Sequence, residues 1–367
     1  MENRYMKAII WDGKPYFEGL RYGDFPMPAA HDSWVLVHNR ACGICGSDVH
    51  ILSGGHNDRF KCKENLPAVL GHELAGVVAD CAENTGFALG DRVAVEAIHT
   101  CIDFGSSCPR CLSGETNHCH EGMTHVGLPY TRMLPGGYGE YSLVHKRHLY
   151  KLPDNVSFEE AALLDILVVN VHAVNIGSPH LGDACAVIGC GVVGLNLVQL
   201  LKASGALRIA AVCKYPFQAE LARQLGATDT VIYDHDTVVR QMLNINGGAG
   251  YDQVYECVGG ESDSIDEAIH ICKPKGRVIM LGLFTGYRPL DMNTLMRREI
   301  SILPSNSYAY FNGKSEYETS IGLLSKGVVD VTPLISHRFS PEDYEQALRS
   351  AMSKDKDKSI KVMFIRE

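Results

Sequence analysis

The sequence has no surplus of basic residues. Among its 367 residues, 34 are Lys or Arg and 43 are Asp or Glu, which gives a formal net charge of −9. A nucleic-acid-binding protein normally carries a basic surplus or stripe, so we expect no nucleic-acid partner. The N-terminal region also lacks the hydrophobic stretch of a secretory signal, because its apolar run covers only Ala8 to Trp11. Internal repeats and low-complexity segments are absent too, which excludes repeat architectures.

One long stretch, Ala184 to Leu201, contains no charged residue. Its length reaches the threshold for a membrane helix. However, it holds three glycines together with Asn196 and Gln199, and it divides better into a strand, a turn and a helix. We therefore expect no membrane span, and a cytoplasmic protein.

The composition is that of a globular protein, with 46% hydrophobic and 21% charged residues. The length suggests two or three domains. The chain has 13 cysteines, an odd and large number. A disulfide framework is unusual in a large domain, so metal ligation in a reducing compartment is the better explanation.

The two parts of the chain show different patterns. Up to about residue 150, short alternating runs between turns (33–38, 75–79, 92–95 and 138–144) predict a β-rich, barrel-like unit. Ser157 and Glu160 then form the capping box that starts a helix. After it, strands at 184–188, 208–213, 231–233, 253–256 and 277–281 alternate with helices at 195–204, 217–225, 237–244 and 264–272. This alternation predicts a parallel α/β sheet.

The C-terminal part returns to mixed character. Segments 316–325 and 341–352 are predicted helices, and 361–365 is predicted to be a last strand. The charged run 354–358 is most simply a solvated turn.

A glycine-rich turn lies between the first of these strands and its helix. Gly189, Gly191 and Gly194 follow the G-x-G-x-x-G pattern, with Val192 and Val193 between the last two. The first glycine allows the tight turn, the second lets a pyrophosphate approach the backbone, and the third lets the helix pack on the strand. In this context the turn predicts a dinucleotide site; a simple tight turn is the alternative.

The end of the second strand bears on the choice of cofactor. NAD-binding domains usually place a carboxylate about 20 residues beyond the glycines, where it binds the ribose hydroxyls. Here Cys213 lies nineteen residues after Gly194, and Lys214 follows it. Because Lys214 can pair with a 2′-phosphate, NADP is favoured over NAD; a surface role for Lys214 with NAD as cofactor is the alternative.

Four cysteines are concentrated in one loop: Cys101, Cys108, Cys111 and Cys119. Four thiols within nineteen residues, with a central C-x-x-C, suit closed tetrahedral zinc ligation more than a disulfide. A closed site would fold the loop and take no part in catalysis.

A second set of potential ligands is dispersed. Cys45 lies in a Gly-Ile-Cys-Gly-Ser-Asp-Val-His string, and His72 and Glu73 follow Gly71. Neither string alone proves a metal site. Cys42 and Cys45 also form a C-x-x-C, but no thioredoxin-like βαβ pattern surrounds them, which disfavours a redox pair.

Taken together, these motifs resemble the zinc-dependent medium-chain dehydrogenase/reductase family, most closely its sorbitol, threonine and sugar dehydrogenase branch. The resemblance covers essentially the whole chain. It implies an α/β protein with a β-rich GroES-like catalytic domain (1–165 and 308–367) and a doubly wound Rossmann domain (166–307).

The resemblance also implies roles for particular residues. Cys45 and His72 match the first two catalytic zinc ligands, and Asp165, where the polyol branch usually has Glu, is the expected third. Glu73 matches the adjacent acid that can approach the metal. Further matches are Ser47 as the hydroxyl that takes the substrate proton, His50 as the outer end of the proton relay, and Asp48 as the hydrogen-bond acceptor for His72.

The cysteine loop matches the structural zinc lobe of the family. Six residues separate Cys101 from Cys108, where the family has two. Cys42, Cys62, Cys81 and the remaining cysteines match no ligand position. We therefore expect one catalytic and one structural zinc ion.

The expected activity is hydride transfer between a secondary alcohol, such as a polyol, sugar or amino alcohol, or the corresponding ketone, and NADP or NAD. Leu52, His56 and the segment 305–310 are candidates for lining the substrate pocket. The family resemblance implies a homodimer or homotetramer. A non-catalytic dinucleotide sensor or structural protein on the same fold is the alternative, but Ser47 and His50 have no structural task and argue against it.

Overall fold

The structure of the protein is a computed structural model that describes residues 4–54, 65–129 and 132–367. The strands, in chain order, are β1 (Tyr5–Trp11), β2 (Leu20–Pro26), β3 (Trp34–Gly43), β4 (Ala68–Val69), β5 (Glu73–Asp80), β6 (Arg92–Val95), β7 (Ile98–His99), β8 (Thr124–His125), β9 (Tyr141–His145), β10 (Leu149–Lys151), β11 (Ala184–Ile188), β12 (Arg208–Cys213), β13 (Asp229–Ile232), β14 (Tyr251–Glu256), β15 (Cys272–Met280), β16 (Ser301–Pro304), β17 (Tyr310–Phe311), β18 (Lys314–Ser315), β19 (Ile335–Phe339) and β20 (Lys361–Ile365).

The α-helices are α1 (Gly46–Leu52), α2 (Pro109–Leu112), α3 (Phe158–Ala162), α4 (Leu164–Gly177), α5 (Val192–Ala203), α6 (Pro216–Leu225), α7 (Val238–Ile245), α8 (Ser264–Ile271), α9 (Met292–Arg297), α10 (Glu316–Ser325), α11 (Tyr344–Met352) and α12 (Lys354–Asp357). Within the described ranges, no helix has the length and apolar character needed to cross a bilayer.

The chain divides into two compact units. The first comprises Met1–Asp165, Asn312–Ser325 and Leu334–Glu367, and the second comprises Ile166–Phe311 and Lys326–Pro333. This division differs from the expected domains at 308–311 and at 326–333. One reason is that the Gln199 side chain on α5 exchanges hydrogen bonds with both backbone groups of Asp330, at 3.0 and 2.8 Å, which fixes the 326–333 segment to the second unit.

The first unit is built around strand β3. The described residues form a seven-stranded sheet in which β3 pairs with β5, β9 and β20, all antiparallel. Successive side chains of a strand point to opposite faces, and the apolar ones of this sheet pack into one core with those of β1 and α11. Because β5 and β20 flank β3 on its two sides, the residues at the C-terminal end of β3 are bordered by both neighbouring strands.

The second unit contains a six-stranded sheet, within the described ranges, in the order β13-β12-β11-β14-β15-β16, and all its neighbours are parallel. Strand β11, and β12 after Arg208, are continuous apolar runs, as expected for strands covered by helices on both faces. From β11 the chain continues to β12 and β13 on one side and then crosses to β14 on the other side of β11, so the strand order reverses at β11. In doubly wound sheets the ligand binds at the carboxyl end of the strands at such a point. The prediction of a doubly wound α/β sheet is confirmed.

The uncharged stretch 184–201 forms β11, a turn and most of α5, as predicted. Two other features differ from expectation. The fourteen-residue helix α4 was not predicted as a whole, because it is apolar on almost all sides and shows no amphipathic period. The charged run at 354–358 was expected to be a plain turn but contains the single helical turn α12, which is fully exposed.

Candidate active site

Strand pairing brings the dispersed metal-ligating residues together. In the antiparallel pair of β3 and β5, Gly43 lies opposite Glu73. The approach is so close that a Cβ atom on Gly43 would lie 2.0 Å from the Glu73 carboxylate oxygen Oε2, so any side chain there would displace that carboxylate. Cys45 follows two residues later, in extended conformation, and caps the N-terminus of α1. The register of two strands therefore places Cys45 beside His72 and Glu73.

One ligand atom from each of Cys45, His72 and Glu73 lies within 4.8 Å of the others. We call these three residues the Cys45 group. His72 and Glu73 are buried, whereas Cys45 is partly exposed. A thiolate, an imidazole and a carboxylate are ligands that Zn²⁺ accepts, and three protein ligands leave a fourth position for water or substrate. The chemistry of this donor set fits a catalytic zinc ion.

The charges around His72 fit the same conclusion. Burial opposes its protonation, but the Asp48 carboxylate and the Cys45 thiolate outweigh burial and hold the pKa of His72 well above its usual value. The same negatively charged neighbours would also attract a metal cation in place of the proton.

Asp165, the expected third ligand, does not belong to this group. Within the described ranges, the sets of three or more metal-ligating side chains are the Cys45 group and a set of four cysteines. Asp165 lies in the first turn of α4. Together with burial, which is the larger cause, its charge raises the pKa of Tyr317 well above the usual value. The β3–β5 register thus brings Glu73 within 4.8 Å of Cys45 and His72, and Asp165 is in no set of described donors at that separation.

Asp48 supports the Cys45 group from behind. It is completely buried, and its Oδ1 lies 3.4 Å from Nδ1 of His72. Its Oδ2 accepts hydrogen bonds from the backbone N–H of Cys45 (2.9 Å) and from the Tyr138 hydroxyl (3.1 Å). Asp48 was expected to accept a hydrogen bond from His72; the two atoms lie in ion-pair contact, and the hydrogen bond itself stays a prediction. Tyr138 was not predicted; the glycines around it, at 136, 137 and 139, were the available signal for a tightly packed segment.

Ser47 and His50 lie three residues apart on α1, a spacing that places them on the same face of a helix. Ser47 Oγ lies 3.4 Å from Nε2 of His72. Because Nδ1 of His72 faces Asp48, Nε2 is the nitrogen that remains for a metal ion. The Ser47 hydroxyl is therefore next to the ligating atom of His72.

The residues expected to line the substrate pocket differ in their burial. Leu52 is completely buried in the core of the first unit, so the structure does not support a substrate contact for it. His56 and Cys62 lie outside the described residues. In the segment 305–310, Tyr308 and Ala309 are buried, and Tyr310 is half-exposed.

The four loop cysteines Cys101, Cys108, Cys111 and Cys119 also lie together, with their sulfur atoms within 4.8 Å of one another. We call residues 101–119 the cysteine lobe. Single helical turns at Cys101–Phe104, Pro109–Leu112 and Thr116–His118 fold the chain back on itself, so the six-residue spacing does not prevent Cys101 from joining the others. Hydrogen bonds from the backbone N–H groups of His120 and Cys111 lower the pKa of the Cys108 thiol to about 6. Four clustered thiols, one of them readily ionised, fit a closed structural zinc site.

The glycine turn adopts the geometry expected of a phosphate-binding turn. Gly189 has φ +98°, and a Cβ on Gly194 would lie 2.0 Å from the Gly189 carbonyl oxygen, which explains the close packing of α5 on β11. A Cβ on Gly191 would meet no atom within 4 Å, so its backbone is open to a ligand. Val192 and Val193 begin α5, whose first N–H groups are free to bind a phosphate.

Beside this turn lies a cavity of about 220 Å³ that includes Lys214 in its lining. Lys214 is exposed, whereas Cys213 is completely buried, so the structure does not support a direct cofactor contact for Cys213. The lining also includes Tyr233 and the buried Glu267, which were not predicted. Glu267 accepts a 3.0 Å hydrogen bond from the Tyr233 hydroxyl, and burial raises its pKa.

Comparison with known proteins agrees with this geometry. Residues 31–154 match the alcohol dehydrogenase GroES-like domain, and residues 192–326 match the zinc-binding dehydrogenase family. The chain is 30% identical to sorbitol dehydrogenase of Bacillus subtilis (94% of this chain, 93% of the relative). It is 32% identical to L-threonine 3-dehydrogenase of Bacillus velezensis (93% of this chain, 94% of the relative).

Among solved structures, 2R,3R-butanediol dehydrogenase from Bacillus subtilis superimposes with a TM-score of 0.83 at 26% identity, covering 99% of this chain and 100% of the other. These matches span both units and support an enzyme over a non-catalytic dinucleotide sensor. The chain belongs to the zinc-dependent medium-chain dehydrogenases, in their polyol dehydrogenase branch, and is an NAD(P)-dependent oxidoreductase.

Proposed function

We propose that the protein interconverts a secondary alcohol of a polyol, sugar or amino alcohol and its ketone, with a catalytic zinc ion held by Cys45, His72 and Glu73. The observation that carries this proposal is the convergence of these three donors within 4.8 Å, next to the Ser47 hydroxyl. When bound, zinc supplies the Lewis acidity that lowers the pKa of an alcohol toward neutrality. Asp165 as a ligand stays a prediction.

The residues around the donors have distinct tasks in this proposal. Ser47 accepts the substrate proton, and His50, one helical turn further along α1, passes it to solvent. Asp48 holds His72 through Nδ1, so that Nε2 faces the metal position. A bound nicotinamide would supply the hydride chemistry.

We also propose that the cofactor is NADP. The phosphates would bind at Gly189, Gly191, Val192, Val193 and Gly194. Lys214 supports NADP over NAD, because it is an exposed cation beside the glycine turn and no carboxylate lies at 213–215. Glu267 lines the same cavity, and its carboxylate would oppose the binding of a 2′-phosphate.

The proposal extends to a second metal ion, the cellular compartment, the assembly and the partners. A second, structural zinc ion binds the cysteine lobe. The protein works in the cytoplasm, which the free cysteines of the described residues support, since a reducing compartment preserves thiols. The assembly is a homodimer or homotetramer, as the family resemblance implies, and the net charge of −9 argues against a nucleic-acid partner.

Metal analysis combined with turnover tests the proposal. We expect two zinc ions per chain, and turnover of a panel of secondary polyols and amino alcohols, followed by nicotinamide absorbance with NADP and NAD in parallel. Cys45→Ser should remove one zinc ion and lower kcat/KM at least about 1,000-fold, because several kcal/mol of Lewis-acid stabilisation is lost.

Cys81→Ser is the matched control. Cys81 lies outside both cysteine-containing groups, and its thiol donates to the Phe87 carbonyl oxygen at 3.3 Å, a bond that serine can also make. An active, zinc-replete Cys45→Ser protein would contradict the assignment of the catalytic metal. A clear preference for NAD would contradict the cofactor assignment alone.

A further inference from the structure

A lysine ammonium group is buried beside the Cys45 group. Lys361 on β20 is 3% exposed, and its Nζ lies 2.9 and 2.7 Å from the two carboxylate oxygens of Glu73, which is itself completely buried. Nζ also donates to the Ile44 carbonyl oxygen at 3.0 Å. An ammonium group has three N–H donors, so these three acceptors satisfy all of them.

The position of Lys361 follows from strand register. Met363 on β20 lies opposite Gly43 on β3, and the Ile44 N–H donates to the Val362 carbonyl oxygen at 2.8 Å, so the pairing continues toward Cys45. Lys361 and Glu73 come from the strands on either side of β3. They can meet across it because Gly43 has no side chain. The pair thus joins strands that are 288 residues apart in sequence.

Stability alone does not account for this ion pair. Removing two charges from water is costly, and a buried pair is often no better for stability than apolar side chains of similar size. The residues that follow Lys361 on β20 are buried and apolar, so a hydrophobic residue would suit the core. Lys361 uses all three of its N–H donors on Glu73 and on the Ile44 carbonyl group, which directly precedes Cys45. This arrangement therefore indicates a function at the metal site.

We propose that Lys361 is a positioning residue for the metal site, acting mainly through Glu73. Its three hydrogen bonds fix the Glu73 carboxylate and the Ile44–Cys45 peptide relative to each other before a metal binds. A donor held in this way does not have to be ordered on binding. The positive charge also balances the Glu73 and Asp48 carboxylates in a buried pocket. This inference rests on the proposed zinc site.

Zinc affinity and cobalt spectroscopy test the inference. Lys361→Met keeps the length and apolar stem but removes the charge and the donors. We expect zinc affinity at the site, measured by competition with a chromophoric chelator, to fall about 10- to 100-fold, as for other residues that orient metal ligands. The visible spectrum of the cobalt(II)-substituted protein should change as well, because the geometry around the ion is no longer fixed. Lys361→Arg, which keeps charge and donors, should restore most of the affinity.

A double-mutant cycle shows whether Lys361 acts through Glu73. In a Glu73→Gln background, Lys361→Met should change zinc affinity less than about threefold, because its main partner is already altered. An equal loss in both backgrounds, or wild-type affinity and spectrum in folded Lys361→Met, would overturn the proposal. If Lys361→Met does not fold, Lys361→Gln, which keeps two N–H donors without the charge, serves instead, and wild-type affinity in that variant would overturn the proposal equally.

The Cys45→Ser protein separates the two possible failures. If the wild-type protein holds no zinc that Cys45→Ser removes, the proposed function fails. If that zinc is present and Lys361 variants bind it normally, only the role of Lys361 fails.

Discussion

The two groups of metal-ligating side chains are assembled in opposite ways. The cysteine lobe takes all four donors from nineteen consecutive residues, folded by three single helical turns. The Cys45 group takes its donors from the start of α1 and from the start of β5, and the β3–β5 register determines their spacing. The lobe has four like donors and no open position, whereas the Cys45 group has three different donors and room for a fourth ligand.

The surroundings of the two groups differ as well. Behind the Cys45 group lie buried charged and polar residues: Asp48, Tyr138 and Lys361. Behind the lobe, His148 connects Asp103 to Glu96, at 2.8 and 3.0 Å. Buried polar contacts therefore hold individual ligand residues at the Cys45 group, whereas at the cysteine lobe they hold a whole segment. We therefore expect the local site to depend on its metal for folding and the non-local site to receive its geometry from the sheet.

The largest expected effect concerns the lobe. Cys111→Ser should release the lobe zinc and lower the free energy of unfolding by about 4 kcal/mol, because a structural metal contributes its binding energy to folding. The Cys45 site should keep its zinc ion. Chemical denaturation, metal content and limited proteolysis within 101–119 measure these effects, with Cys81→Ser as the control. If Cys111→Ser lost the lobe zinc but kept the wild-type free energy of unfolding, the lobe would not depend on its metal for folding.

The next effect depends on pH. Burial disfavours the charged form of His148, but hydrogen bonds to Asp103 and Glu96 outweigh burial and raise its pKa to about 9. Since the folded-state pKa exceeds the unfolded value of about 6.5, this stabilisation is complete below pH 6.5 and is lost as pH rises through 9. The stability gap between wild type and His148→Gln should therefore narrow by about 3 kcal/mol from pH 6.5 to 10. Denaturation curves of both proteins at several pH values test this. If the free energy of unfolding changed with pH in the same way for wild type and His148→Gln, His148 would not anchor the lobe through its charge.

The same contrast explains what the sequence could predict. The lobe and the glycine turn are local patterns, so spacing alone indicated Cys101 to Cys119 and Gly189 to Gly194. The alternation of strands and helices predicted the parallel sheet for a similar reason, since each βαβ unit is local. Cys213 shows the limit of such counting: its position in the sequence suggested a cofactor contact, which the complete burial of its side chain does not support.

Non-local contacts were harder to predict. Cys45, His72 and Asp48 were proposed from the family resemblance, but the choice between Glu73 and Asp165 depends on strand register, which the sequence does not display. Lys361 and Tyr138 carried no motif of their own. Their roles appear only when β20 and the 136–139 turn are placed beside β3 and α1.

The smallest expected effects concern the residues that support the Cys45 group. Asp48→Asn removes the negative charge that holds Nδ1 of His72, and should weaken zinc binding at the Cys45 group about 10- to 100-fold while leaving the lobe zinc in place. Tyr138→Phe deletes a single hydrogen bond to Asp48, worth about 1 kcal/mol, so the same affinity should fall only about fivefold. Chelator competition measures both. If Tyr138→Phe weakened zinc binding as much as Asp48→Asn, the Tyr138 hydroxyl would matter as much as the Asp48 carboxylate for holding His72, which would contradict the predicted order of the two effects.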